Sequence, residues 1–316
     1  MGSNNVPLPI LKPCQSNRII YILSDWGDSL GSGHIQRMST LLWHLNQREG
    51  IRAFLVSNSI PHFLSSEIFK YTKKQIDTKP DIIIRDMRNS STEEIEKLKS
   101  LSRVMVIDDA GDGRDVADFT IDLLPNYSNL QKEESSTRNT FFLYGFNFVK
   151  SLLSIINKSI PKVIDFSIYP GLAANDKYLD LLLSLLPKGS SYAIHLGENS
   201  YSNYGEKIDR SYAELILSSR IIVSHFGIML YEGFISGCRL VSVNPTLYHC
   251  QLSKLVEKRL NILNLGMYND LNRDMVLLKI EELLNEPICE SISAKEVYNR
   301  VFEKLEKFSD YIIELT

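Results

Sequence analysis

The sequence predicts an α/β protein of two doubly wound, Rossmann-like halves facing a cleft. Three observations lead there. Short β-branched runs alternate with segments of helical apolar spacing along most of the chain. The strand-like runs are apolar throughout rather than alternating, the mark of parallel strands covered on both faces. The pattern also occurs twice, on either side of a Ser- and Lys-rich stretch near 151–161. The expected division is an N-terminal domain over 1–155 and a C-terminal one over 156–316, with the last helix packing back on the first. In such sheets ligands sit beyond the carboxyl ends of the strands.

The elements follow in order. Arg18–Ser24 is a β-branched run, and a glycine-rich turn leads from it to a helix over Ile35–Gln47, with Ile35, Met38, Leu41, Leu42 and Leu45 at helical spacing. Gly50 stops that helix, and Ile51–Ser57 and Asp81–Arg85 read as strands. Ser91 is a plausible cap for a helix over Thr92–Leu101. Strands over Arg103–Ile107 and Phe119–Leu123 complete the first half. The second half reads strand Lys162–Ile168, helix Asp176–Leu186, strand Ser191–Leu196, helix Tyr212–Ser218 and strand Arg220–Ser224. Helix Ile228–Ser236, strand Arg239–Val243 and helices over Gln251–Arg259, Asp274–Asn285 and Ser293–Lys307 close the chain.

Composition narrows the function. The 316 residues are 44% hydrophobic and 23% charged, an ordinary globular balance. Lys+Arg is 35 and Asp+Glu 38, a net charge of −3, which argues against a nucleic-acid binder. No apolar run approaches the roughly 18 residues of a membrane span, and the first residues do not form a signal peptide. Cys14, Cys238, Cys250 and Cys289 share no CxxC spacing and read as reduced thiols of a cytoplasmic protein. A monomer is expected.

Three segments that follow strands could carry chemistry. In Gly31-Ser32-Gly33-His34-Ile35-Gln36-Arg37, small residues admit a ligand close to the backbone, and the helix start offers free N–H groups. The segment is neither the six-residue dinucleotide fingerprint nor a P-loop. A histidine in that first turn faces the positive end of the helix dipole, which favours the neutral imidazole and suits it to accept a proton from water. The alternative is that His34 merely caps the turn.

In Ile107-Asp108-Asp109-Ala110-Gly111-Asp112-Gly113, two carboxylates follow a strand. They could hold substrate hydroxyls, support a base or bind a metal, or they could simply form a turn. Adjacent residues point to opposite faces, so the pair does not converge on a metal. Asp109 is expected to face the substrate, and Arg37 to bind it through a fixed charge or to anchor an acid such as Asp108 or Asp122. Asn126 could reach the same cleft. In Ser224-His225-Phe226-Gly227-Ile228-Met229-Leu230-Tyr231-Glu232, amides at Gly227–Met229 could hold phosphate and Glu232 two ribose hydroxyls, or Glu232 could only stabilise its own helix dipole. Asn244 and Gln251 could line the same wall. His44, His62, His195 and His249 have no metal-ligand spacing and read as structural.

Taken together, Gly-x-Gly-His-x-x-Arg, Ile-Asp-Asp, Asp118-x-x-Ile-Asp122 with Asn126, Gly227-x-x-x-Tyr-Glu and the later Gln251 resemble the UDP-sugar hydrolases of pseudaminic acid biosynthesis. They are similar also to the related spore-coat polysaccharide proteins. The resemblance runs over about residues 18–270, with 31–37 its most specific part. It implies the two-domain glycosyltransferase-B fold and a UDP-linked 2,4-diacetamido-2,4,6-trideoxyhexose as substrate. Water would displace UDP at the anomeric carbon with inversion, and His34 would orient or deprotonate it. Glu232 would take the ribose and amides near Gly227 the phosphate, with no metal or other cofactor. Two segments depart from the family. The loop over 167–176 is longer and holds one glycine, and Ile228 and Met229 replace hydroxyl-bearing residues. The alternatives are a glycosyltransferase of the same fold and an inactive sugar-nucleotide-binding protein of a glycosylation complex.

Overall fold

The computed structural model describes residues 17–27, 31–61, 64–124, 143–171, 176–196, 199–202 and 205–316. The first half holds strands β1 (Arg18–Ser24), β2 (Ile51–Val56), β3 (Thr72–Lys73), β4 (Ile82–Asp86), β5 (Arg103–Ile107) and β6 (Phe119–Ile121). They form a fully parallel sheet in the order β3-β2-β1-β4-β5-β6. Its helices are α1 (Gly33–Leu45), α2 (Ser66–Phe69), α3 (Thr92–Lys99) and α4 (Phe146–Ser154). Burial of Ile35, Met38, Leu41, Leu42 and Leu45 confirms the helical period that placed α1.

A short strand β7 (Ser159–Pro161) precedes the second sheet, which contains β8 (Ile164–Tyr169), β9 (Tyr192–Leu196), β10 (Asn199–Ser202), β11 (Ser219–Ser224), β12 (Arg239–Asn244) and β13 (Ile262–Met267). Its order is β10-β9-β8-β11-β12-β13, parallel except for the edge strand β10, which returns antiparallel on β9. The helices are α5 (Asp176–Ser184), α6 (Tyr212–Ser218), α7 (Ile228–Ile235), α8 (Leu247–Leu260), α9 (Arg273–Asn285) and α10 (Ala294–Leu315), with β14 (Ser291–Ser293) paired antiparallel to β7.

Several elements differ from the sequence reading. Helix α4 and strand β13 were not expected, and α8 starts four residues earlier than predicted, where Thr246 caps it by accepting from the His249 amide. The stretch near 151–161 holds the end of α4 and strand β7. Helix α10 runs on to Leu315 and buries Val297, Val301, Leu305, Phe308 and Ile312 completely. It lies against α1 and α4 of the first half. Arg48 pairs with Asp310, and Arg103 donates to the Thr316 carbonyl at 3.1 Å. One apolar core therefore runs from the first sheet through α1, α4 and α10 to α6 and α7. Among the described residues no helix is long and apolar enough to cross a membrane.

Candidate functional site

A cleft of about 1480 Å³ opens between the two sheets, at the carboxyl ends of β4, β5, β8 and β11. Helices α1 and α7 begin at its floor. Neither has a side-chain cap or an acid in its first turn, whereas Ser65, Ser91, Ser211, Thr246, Asn272 and Ser293 cap α2, α3, α6, α8, α9 and α10. Free N–H groups and the dipole's positive end are thus left facing the cleft. The two starts nearly touch. A Cβ on Gly33 would stand 3.4 Å from the Ile228 side chain, an ordinary packing contact. Gly31 adopts φ +73°, a conformation that side chains disfavour.

His34, in the first turn of α1, lines the cleft and is 6% exposed. Its Nδ1 lies 2.7 Å from Asp86 Oδ1, at the end of β4. Arg37, one turn on, donates to both Asp86 oxygens, at 2.6 and 2.5 Å. Burial pushes the Asp86 carboxyl upward, but Arg37 and then His34 outweigh it and hold it down at about 2. Asp86 is therefore ionised, and an ionised acceptor 2.7 Å away requires a proton on Nδ1. The Arg37 Nη2 contact with the same Nδ1, at 3.2 Å, cannot then be a hydrogen bond. His34 Nε2 is left as the basic nitrogen, with no hydrogen-bond partner among the described residues.

Arg37 is fully buried in the wall of the cleft, where it holds two carboxylates. Its second acid is Asp108, whose Oδ2 lies 2.6 Å from Nη2 but out of hydrogen-bond alignment. Asp108 adopts φ +50° at the end of β5 and accepts from the Leu123 and Leu124 amides through Oδ1. Burial raises its carboxyl against the pull of Arg37. Asp108 lines the cleft, and Asp109 does not. This corrects the expectation that Asp109 faces the substrate. Asp109 is completely buried, pairs with Arg85 at 2.8 Å and accepts from the Ser90 and Gly111 amides. Asp122 pairs with Arg114 instead of Arg37.

The second wall comes from α6, α7 and α8. Gly227, Ile228, Met229, Glu232 and Gln251 line the cleft, as do Gly31 and Gly33 opposite. Glu232 is 2% exposed, and both its oxygens are engaged. Oε1 accepts from the Gly145 amide at 3.0 Å and Oε2 from the Tyr212 hydroxyl at 2.8 Å. Burial raises its carboxyl to about 7 despite these donors. Asn244 is the second correction. It is fully buried beneath the wall, where it accepts from the Phe226 amide and Ser253 and donates toward Asn264, so it braces the Gly227 turn. Asn126 lies outside the described residues.

The sequence reading missed Asp86, although an acid just past the apolar run Ile82–Ile84 sits where ligand-facing residues are expected. It also missed Tyr212, His225 and Tyr248. These line the wall but carry no spacing signal, because they come from three separate places in the chain, the starts of α6 and α8 and the turn before α7. Three other histidines read as structural divide into two groups. His44 packs edge-on against Phe302 of α10, whereas His195 and His249 border the cleft.

No protein-family model matches the chain, and no curated protein is similar to it in sequence. Solved structures are similar in shape. The spinosyn rhamnosyltransferase SpnG superposes with a TM-score of 0.59 at 10% identity, covering 94% of this chain and 99% of that one. MnaA of S. aureus bound to UDP gives 0.54 at 10% identity, covering 95% and 98%. A Listeria monocytogenes protein described as a UDP-N-acetylglucosamine 2-epimerase gives 0.52 at 10% identity, covering 95% and 97%. Two parallel sheets facing a cleft, matched over nearly the whole chain, give this protein the glycosyltransferase-B fold.

Proposed function

We propose that the chain displaces a nucleoside diphosphate from a nucleotide-activated amino sugar, at the anomeric carbon and with inversion, using water as the nucleophile. The observation that supports it best is the His34–Asp86 pair at the cleft wall, with Nε2 left basic. His34 takes the proton of the attacking water as the C–O bond forms. Asp86, positioned by Arg37, stabilises the imidazolium that results. The leaving diphosphate rests against the uncapped starts of α1 and α7, whose amides stabilise its charge as the glycosidic bond breaks. Asp108, its Oδ2 paired with Arg37 and its Oδ1 holding the Leu123 and Leu124 amides, shapes the wall beside His34. Glu232 takes the ribose side, its accepted bonds from Gly145 and Tyr212 leaving one lone pair on each oxygen.

The solved structures of similar shape include a rhamnosyltransferase and a UDP complex, which fits a nucleotide-sugar substrate. One observation favours a second reading, a glycosyltransferase. The cleft volume exceeds the ~300–1,000 Å³ of most ligand pockets and leaves room for an acceptor. Incubation with a panel of UDP-, TDP- and CDP-sugars, scored for nucleotide release with and without sugar acceptors, separates the two. Release without acceptor, with ¹⁸O from labelled water in the free sugar, supports hydrolysis. Release only with an acceptor supports transfer, and no release with any donor overturns both.

A further inference from the structure

At the far end of the cleft from His34, a chain of hydroxyls fixes the protonation of a buried histidine. Ser219 Oγ donates to the Leu215 carbonyl at 2.7 Å, which uses its only proton. In the 2.8 Å contact between Ser167 and Ser219, the donor must therefore be Ser167. With its own proton spent, Ser167 Oγ must accept from His195 Nε2, 3.1 Å away. Burial lowers the His195 imidazole to about 4, so it is neutral at physiological pH and carries one proton. That proton sits on Nε2, and Nδ1 is a bare acceptor. Ser200 Oγ, 2.8 Å from Nδ1, donates inward to it. Ser200 lines the cleft, so only its lone pairs remain for a ligand.

The wall can be traced from the reacting end to this point. Gly33 abuts Ile228 beside His34, and Glu232 lies further along α7. The Tyr212 hydroxyl bonds Glu232, and the Tyr212 ring packs edge-on against His195 at 5.3 Å between centroids. Ser200 stands on β10, three strands from β11 and its Gly227 turn, about 14 Å at the usual strand spacing. A nucleotide sugar with its anomeric carbon at His34 and its diphosphate at the start of α7 would extend along this wall, past Glu232 and Tyr212, toward Ser200.

Resting on the nucleotide-sugar reading, we propose that Ser200 is a specificity-determining acceptor for the imide N–H of a uracil or thymine base, with His195 as its positioning residue. Uracil and thymine present a donor at N3, and cytosine presents an acceptor there, which would meet Ser200 lone pair to lone pair. Lys207 and Arg210 line the same end and carry N–H groups suited to the two imide carbonyls.

Calorimetric titration of the full chain with UDP, TDP and CDP tests this. The wild type should bind UDP at least about tenfold more tightly than CDP. Ser200→Ala should weaken UDP by about tenfold and spare CDP, collapsing the preference. His195→Ala, which lets the Ser200 hydroxyl turn its proton to the cleft, should raise CDP relative to UDP. His195→Asn, whose carbonyl can replace Nδ1, should restore the wild-type order. A wild type that binds UDP and CDP equally, or a Ser200→Ala chain that keeps the preference, overturns the role of Ser200 alone. Equal loss of preference in both His195 variants overturns the positioning role of His195. A wild type that binds none of the three overturns the nucleotide reading itself.

Discussion

His34 shows how little of a site one residue defines. Its position at a helix start is a matter of sequence, but its tautomer is set by Asp86, 52 residues away in the chain. His34→Ala is expected to fold normally and to lose about 10²–10⁴-fold in turnover on the true substrate, the usual cost of removing a general base. Turnover near wild type would take His34 out of the mechanism. Asp86→Asn should lose most of that activity as well. A neutral amide can present its N–H to Nδ1 and stabilise the wrong tautomer, while KM should change less than kcat. Glu232 gives a different signal. Its carboxyl is raised from 4.5 to about 7, so between those values the folded chain binds a proton that the unfolded chain does not. Its contribution is therefore present below pH 4.5 and is lost as pH rises through 7, roughly 3 kcal/mol in all. Thermal melts of Glu232→Gln should show less decline between pH 5 and 8 than wild type. Parallel curves would mean that Glu232 does not titrate in that window.

Elements place these residues through their ends. The β-branched run of β4 delivers Asp86, and β5 delivers Asp108, both at carboxyl termini beside α1. The Asp-Gly loop after β5 was legible as a turn, but which acid it aims outward was not. The answer depends on the Asp108 backbone, held at φ +50° by bonds to the Leu123 and Leu124 amides. Packing pins the rest of that loop. A Cβ on Gly111 would stand 2.1 Å from the Ser90 carbonyl oxygen, a backbone atom that cannot step aside. Gly111→Ala should destabilise the fold by about 1–3 kcal/mol through overpacking, measured as a lower urea midpoint. An unchanged midpoint would show that the loop relaxes freely. The α7 start was legible too, since Gly227 precedes an apolar helix. Its convergence with the α1 start was not, because Gly33 and Ile228 meet only when the two sheets face each other.

At the scale of the molecule, positive potential comes from helix starts on both sides of the cleft, and the paired acids are spent on arginines. Asp86 and Asp108 face Arg37, and Asp109 faces Arg85. Activity measured in excess EDTA should therefore match activity without it. Loss of activity in EDTA, restored by Mg²⁺ or Mn²⁺, would overturn the amide-based account of diphosphate stabilisation.

The sequence by itself determined the repeated strand–helix order, the parallel sheets and the two glycine turns, because apolar runs and their periods are local properties that burial enforces. It also placed His34, Arg37, Gly227 and Glu232 on the elements that carry them. Only the tertiary structure decided that Asp86 orients His34, that Asp108 rather than Asp109 meets the cleft, and that Asn244 braces a turn from beneath. Only it brought Ser167, His195, Ser200 and Ser219 into one chain of bonds. Those assignments depend on distances of about 3 Å between residues far apart in sequence. Such distances are fixed by how strands stack side by side, and no local pattern encodes them.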